Sequence, residues 1–205
     1  MFKNKFVVIW FAGIASVAMP AYSQSEDTGR QEVSVQGMFS IVKNSTDKGI
    51  ENKATESGGV LATYRYIFKG NSFFDSHSAA EFNYGYTLNT QSYGSVLGTT
   101  REKSYSHEVS AAYVFRMPRR DFTPFLLAGA AGLIFDPKDS PGSAQARPAF
   151  MYGGGADFNL KHNVFMRVEY RGFLYNSPTF DLKGLSGDAR VTHRAEPSIG
   201  FGYRF

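Results

Sequence analysis

The sequence predicts an all-β chain, an eight-stranded antiparallel up-and-down transmembrane β-barrel, and three observations carry that expectation. Side-chain character alternates with period two through eight separate runs. The connections between those runs are alternately long and short. The charge on their polar faces is balanced, arginine against carboxylate.

Composition sets the frame. Of 205 residues, 42% are apolar and 16% aromatic, and with 19 Phe, 12 Tyr and 21 Gly the chain carries too many packing groups to be disordered. A mean hydropathy of -0.27 is too polar for a bundle of transmembrane helices. Residues 1–23 differ in kind from the rest: Lys3 and Lys5 precede an apolar run over 6–18, followed by Pro20 and Ala21-Tyr22-Ser23. This reads as a signal peptide cleaved after Ser23, leaving 24–205 as the barrel domain. The run is too short to cross about 30 Å of hydrocarbon as a helix. Removing Lys3 and Lys5 lowers the formal charge from +4 to +2, a balance without the clustered basic face that nucleic acid requires. With no cysteine, neither a disulfide framework nor a thiolate metal site is expected, and no cofactor-binding or metal-ligating spacing stands out. A mature chain embedded in a membrane would have to be a closed barrel.

The first run, 31–43, sets Val33, Val35, Gly37, Phe39 and Ile41 against Glu32, Ser34, Gln36 and Ser40. The second, 59–68, sets Val60, Ala62, Tyr64, Tyr66 and Phe68 against Thr63 and Arg65. In the third, 77–88, Ala80, Phe82, Tyr84, Tyr86 and Leu88 oppose Glu81, Asn83 and Thr87. In the fourth, 103–116, Tyr105, Val109, Ala111, Tyr113 and Phe115 oppose Ser106, Glu108 and Ser110. The fifth, 122–135, is apolar and small on both faces. The sixth, 148–160, alternates Phe150, Tyr152, Gly154, Ala156, Phe158 and Leu160 with Gly153, Gly155, Asp157 and Asn159. The seventh, 164–175, puts Val164, Met166, Val168, Tyr170 and Leu174 opposite Arg167, Glu169 and Arg171. The eighth, 190–205, sets Val191, Ile199, Phe201, Tyr203 and Phe205 against Arg194, Glu196, Ser198 and Arg204. Each two-faced run is a strand, and an even number of them lets an antiparallel sheet close.

Long polar connections follow the odd runs (44–57, 89–101, 136–147, 176–189) and short ones the even runs (69–76, 117–121, 161–163). Long loops on one rim and short turns on the other mark an outer-membrane barrel with both termini in the periplasm.

A soluble lipocalin-like lipid binder also has eight alternating strands, so charge must decide which face is wet. The polar faces hold Arg65, Arg116, Arg167, Arg171, Arg194 and Arg204 against Glu32, Glu81, Glu108, Asp157, Glu169 and Glu196, six cations to six anions. Charges enclosed in a narrow lumen must be paired, because a desolvated lone ion costs several kcal/mol. Lysine is instead found in connections, at Lys48, Lys53, Lys69, Lys138, Lys161 and Lys183, and arginine's planar fork suits multi-partner networks better. A lumen network of Arg65, Glu81, Glu108, Asp157, Arg167, Glu169, Arg171, Arg194 and Glu196 is expected, with pairing of Arg167, Glu169 and Arg171 to Arg194 and Glu196 on the neighbouring strand. Tyr64, Tyr66, Phe68, Tyr113, Phe115, Tyr203 and Phe205 end their runs beside short turns and are expected to form a membrane-interface girdle.

The stretches Thr123-Pro124-Phe125-Leu126-Leu127-Ala128-Gly129-Ala130-Ala131-Gly132, Gly153-Gly154-Gly155-Ala156-Asp157-Phe158-Asn159-Leu160 and Phe165-Met166-Arg167-Val168-Glu169-Tyr170-Arg171 resemble the last half of OmpA-type and opacity-type eight-stranded outer-membrane barrels. The ending Ser198-Ile199-Gly200-Phe201-Gly202-Tyr203-Arg204-Phe205 resembles the terminal strand that the outer-membrane assembly machinery recognises, which makes Phe201, Tyr203 and Phe205 the expected assembly signal. The likeness covers 122–205 by motif and the first half by pattern alone. It implies a bacterial outer-membrane location in contact with lipid and lipopolysaccharide, and is nearly silent on function. OmpA itself continues into a peptidoglycan-binding domain; with Phe205 closing the last run, cell-wall tethering is not expected.

Candidate chemistry is sparse. Gly153-Gly154-Gly155 lies inside an alternating strand with no lysine or helix start behind it, so it reads as a packing feature rather than a phosphate loop. His77 with Ser76 and Ser78, His107 with Ser106 and Glu108, and His193 with Glu196 and Ser198 are the combinations from which a Ser-His-acid site could be built. The expectation is a monomeric, non-enzymatic barrel with a charge-plugged lumen, acting structurally or through loops that contact a surface ligand, with 44–57 and 176–189 foremost. A lipid A-modifying enzyme and a small gated channel are the alternatives.

Overall fold

The computed structural model describes residues 30–205 except 43–44, 48–49, 55–56, 69–75, 96–97, 138–143, 162 and 177–190. The expected signal peptide and its cleavage after Ser23 lie outside the described residues. The strands are β1 (Gln31–Val42), β2 (Ser45–Asp47), β3 (Ile50–Ala54), β4 (Ser57–Ile67), β5 (His77–Ser95), β6 (Gly98–Arg116), β7 (Phe122–Pro137), β8 (Gln145–Asn159), β9 (Val164–Asn176) and β10 (Val191–Arg204). No helix occurs among the described residues. Eight of the strands pair antiparallel in the cyclic order β1-β4-β5-β6-β7-β8-β9-β10, and β10 returns to β1. This eight-strand cycle has no free edge, and the barrel is closed.

Each expected run corresponds to one barrel strand, with ends moved by a few residues. Two connections differ from expectation. The connection at 44–57 contains the β2-β3 hairpin, which adds to the long hairpin at Glu51↔Gly94. Most of 89–101, read from sequence as loop, continues the β5-β6 ladder out to Ser95↔Gly98. The cause is physical: the ladder is held by main-chain groups, so backbone pairing can persist through a polar sequence that lacks the apolar alternation by which a strand is recognised.

The register fixes the geometry. Gln31 pairs with Tyr66, then Ala80, Tyr113, Ala128, Tyr152, Gly172 and Ala195 follow strand by strand, and Ala195 pairs with Ile41. One circuit thus advances from position 31 to position 41, a shear of ten residues. With ~3.3 Å per residue and ~4.8 Å between strands, eight strands at this shear tilt by about 40° and enclose a backbone cylinder about 16 Å across. That bore leaves room for side chains and little else.

The pleat then divides every strand. Val35, Phe39, Phe82, Val109, Leu126, Phe150, Ile199 and Phe201 are exposed on the outer wall, while Glu32, Arg65, Glu81, Glu108, Arg167, Arg171, Arg194 and Glu196 are buried inside. A soluble barrel would reverse this, so the outer wall is built for lipid. The fifth run, apolar on both faces, has a counterpart inside: Phe125, Leu127, Ala131, Leu133 and Phe135 of β7 point into the lumen and pack with Ala112, Val114, Met151, Phe173 and Tyr175. The lumen is thus charged on one side and apolar on the other, in keeping with a fifth run that is apolar on both faces.

Candidate functional site

Inside the barrel the charged groups form two clusters at different heights. The lower one surrounds Asp157 and Glu32. Arg167 grips Asp157 with two bonds, Nε to Oδ1 at 2.6 Å and Nη2 to Oδ2 at 2.9 Å. Arg65 donates to Asp157 at 3.2 Å and, through Nε, to Glu81 at 2.7 Å. Glu32 accepts from Arg116 at 2.9 Å, Arg167 at 3.2 Å and Arg204 at 2.8 Å. Bidentate, shared geometry of this kind is what guanidinium permits and ammonium does not.

The upper cluster belongs to Arg171 and Arg194. Arg171 bridges Glu108 at 2.6 Å and Glu196 at 2.7 Å. Arg194 pairs with Glu196 and donates to Ser106 at 3.0 Å and Thr87 at 3.3 Å. Between the clusters lies an uncharged hydrogen-bonded layer: Ser198 donates to Gln36 Oε1 at 3.0 Å, Gln36 to Thr63 at 3.4 Å, Thr63 to Asn83 at 2.7 Å and Asn83 to Glu81 at 3.0 Å.

All nine network residues expected from the sequence are buried in the lumen, but not all are paired as expected. Arg171–Glu196 forms across β9 and β10, whereas Arg167 turns away to Asp157 and Glu32. Among the described residues Glu169 enters no ion pair; its Oε2 accepts one bond from Gln36 Nε2 at 3.3 Å and its Oε1 meets no partner there. The reason is height along the tilted strands: Glu169 falls on the level of Gln36 and Asn83, between the two sets of guanidinium groups. Glu32, Arg116 and Arg204 complete the network. The lower cluster then holds four arginines against three carboxylates and the upper two against two, with the Glu169 carboxyl between them.

Sequence reasoning missed the aromatic platforms beneath the guanidinium groups. Phe125 lies 4.2 Å from Arg65 and 5.3 Å from Arg167, Phe165 lies 5.1 Å from Arg167 and 5.6 Å from Arg204, and Phe173 lies 5.3 Å from Arg171. Their signal in the sequence is phenylalanine at the inward parity of runs five and seven.

On the outer wall, Tyr66, Phe68, Tyr113 and Tyr203 are exposed near the short turns, and Tyr64, Phe115 and Phe205 are partly covered beside them. Phe201 and Tyr203 of the expected assembly signal face the lipid side of β10. The histidine combinations are divided by the pleat: Ser106 and Glu108 are buried inward while His107 faces out, and Glu196 and Ser198 are buried inward while His193 faces out. His107 Nδ1 bonds the Tyr84 hydroxyl at 2.8 Å and His193 Nε2 bonds the Tyr152 hydroxyl at 2.9 Å. Ser78, beside His77, shares a short hydrogen bond with Tyr113.

A closed eight-stranded antiparallel barrel with an apolar outer wall and an ion-filled interior defines the class of small bacterial outer-membrane barrels. The model of the family described as outer membrane protein beta-barrel domain matches residues 9–205, and the chain belongs to that family. Among solved structures it is similar to OprG from Pseudomonas aeruginosa, with a TM-score of 0.60 and 13% identity over 87% of this chain and 97% of that one. It is similar to Ail, the attachment invasion locus protein of Yersinia pestis, in complex with the heparin analogue sucrose octasulfate, with a TM-score of 0.55 and 19% identity over 87% and 100%. It is also similar to Neisserial surface protein A, with a TM-score of 0.57 and 13% identity over 88% and 100%. A sequence comparison with curated proteins gave no match.

Proposed function

We propose that this outer-membrane barrel is a structural and surface-interaction protein whose bore is plugged by its own charges and whose recognition is carried by the connections of the long-loop rim. The observation that carries the reading is the stacking of two buried ion clusters across a bore about 16 Å wide between backbones. Guanidinium and carboxylate groups tied to one another at 2.6–3.2 Å are unavailable to passing solute. With the lumen occupied, what the molecule offers to its surroundings is the lipid-facing wall and the outer rim. Ail, an attachment protein solved with a heparin analogue, shares the fold, and supports looking to sulfated glycans first.

The test replaces 177–190 and, separately, 44–56 by short turns in a barrel displayed on cells lacking other adhesins. Attachment to glycan-coated surfaces should fall with one or both replacements, while planar-bilayer recordings of the purified protein show no sustained conductance. Attachment that survives both replacements, or a steady open channel, overturns the reading. A changed acyl count in lipid A from expressing cells would instead favour an enzyme.

A further inference from the structure

We propose that the two outward Tyr–His pairs, Tyr84–His107 and Tyr152–His193, are contact sites for the phosphorylated headgroups of the outer leaflet. This rests on the barrel's place in the outer membrane and not on loop recognition, so failure of the attachment test leaves it standing.

Height is the first argument. A residue step along a strand tilted by about 40° rises about 2.5 Å. On β6, His107 is eight residues above Phe115, and on β10, His193 is ten above Tyr203. Both imidazoles therefore stand about 20–25 Å above aromatic residues of the short-turn rim, and the apolar band of such barrels is about 25 Å tall. They are also level with each other. From His107 the rungs run through Tyr86, Val60 and Gly37 to Ile199 on β10. Four strand steps descend half of the ten-residue shear, and His193 is six residues above Ile199. The two rings thus lie within about one residue, ~2.5 Å, of the same height, four strands apart and on opposite sides of the barrel.

The second argument is the free donor. Each ring bonds a tyrosine hydroxyl through one nitrogen, and among the described residues no protein partner meets the other, Nε2 in His107 and Nδ1 in His193. When the hydroxyl donates, the second nitrogen carries the hydrogen and projects an N–H from the wall. The rings are held in place. His107 has Tyr86 at 5.2 Å and Tyr84 at 6.1 Å. Tyr152 reaches His193 by lying over Gly172, where a Cβ would come within 2.6 Å of its ring. An N–H donor fixed where hydrocarbon ends needs an acceptor from the lipid.

Phosphate oxygens are the ionised acceptors of that layer, and a hydrogen bond to an ionised acceptor is the stronger kind. Along β6, Lys103 and Arg101 share the sequence parity of His107, and their backbones pair with Thr90 and Ser92. Facing His107 from β5 are the phenols Tyr84 and Tyr86, and from β7 Ile134, with Asp136 one outward position further, opposite Tyr105. Around His193 stand Tyr152, Leu174 and Asn176, and no charged side chain faces it among the described residues.

The test uses the full barrel, labelled with nitrogen-15 at histidine, in phosphatidylcholine vesicles containing bisphosphorylated lipid A, and reads nitrogen–phosphorus dipolar dephasing by solid-state NMR. Dephasing at His107 Nε2 and His193 Nδ1 is expected with lipid A and absent with its dephosphorylated form. Lipid A retained through purification should fall about fivefold for each site lost in His107→Gln and His193→Gln. Tyr84→Phe and Tyr152→Phe, which keep the rings, should reduce it less. No dephasing, or equal retention of both forms of lipid A, overturns the proposal. Inorganic phosphate giving the same dephasing without lipid A would overturn its assignment to a headgroup. The wild-type measurement needs no variant to fold.

Discussion

The guanidinium carbon of Arg65 stands 4.2 Å from the centroid of the Phe125 ring, and Arg167 approaches the same ring at 5.3 Å. One phenylalanine of β7 thereby underlies two cations donated by β4 and β9, and joins the charged side of the lumen to the apolar side. A ring face attracts cations most where water is excluded, and Phe125, Arg65 and Arg167 are all buried.

Phe125→Leu keeps apolar volume and removes the ring face. It should lower unfolding stability by about 1–2 kcal/mol, and Phe125→Ala by about 3–5 kcal/mol because a cavity is added. Urea titration of the vesicle-folded barrel measures both. A leucine variant as stable as wild type would reduce the ring to filler.

Asp157→Asn should be among the most damaging single changes in the lumen. Arg65, Arg116 and Arg167 all contact this carboxylate, and stranding buried cations costs about 3–5 kcal/mol. The expected result is early loss of the compact, fast-migrating band on heating in SDS. Arg167→Ala together with Arg171→Ala, which breaks both clusters, should exceed it.

Glu169→Gln should do the reverse. Among the described residues the side chain has one hydrogen bond and no ion pair, so replacing the carboxyl by an amide of the same shape removes a desolvated group with little to lose. Stability unchanged within about 1 kcal/mol, or raised, is expected; Glu81→Gln, which loses an Arg65 bond at 2.7 Å, is the control that falls. Equal losses in the two variants would mean that Glu169 is paired after all.

Gly172→Ala tests the crossing of Tyr152 over β9. A methyl group 2.6 Å from the ring must push it aside, breaking the 2.9 Å bond to His193. The His193 ring-nitrogen resonances should move toward those of Tyr152→Phe, with a stability loss of about 1 kcal/mol. Coincident spectra of wild type and Gly172→Ala would show that the ring does not need the glycine.

Deletion of Phe205 removes the reciprocal backbone bonds with Gln31, at 2.9 and 3.1 Å, that close the end of the β1-β10 seam. In vitro the barrel should still fold, about 1–3 kcal/mol weaker. In cells the folded yield should drop further than that loss explains, because an aromatic of the expected assembly signal is gone. Proportionate drops in both settings would remove Phe205 from that role.

The architecture was legible because lipid enforces it: every outward position facing hydrocarbon must be apolar, and Val33, Val35, Phe39 and Ile41 show that rule in a single strand. Where lipid stops, so does the pattern, which is why the extension of β5 and β6 to Ser95 and Gly98 read as loop. The identity of the lumen charges was legible from parity, but their partners were not. Pairing depends on height, and height on the shear, a number that exists only once the sheet has closed. Neighbouring parity alone points Arg167 and Glu169 toward β10, while the ten-residue stagger gives one to Asp157 and leaves the other with Gln36.

The interior charges also distinguish one register of closure from its neighbours. Sliding β10 by two residues against β1 would keep every side chain on its own face and leave the greasy exterior intact, so hydrophobicity cannot detect the error. The same slip would carry Arg204 away from Glu32 and set glycine, Gly202, in its place. A misclosed barrel would then bury unmatched ions on both sides of the seam. Uncompensated buried charge of this kind costs several kcal/mol, so the lumen, and not the lipid-facing wall, distinguishes the closing register.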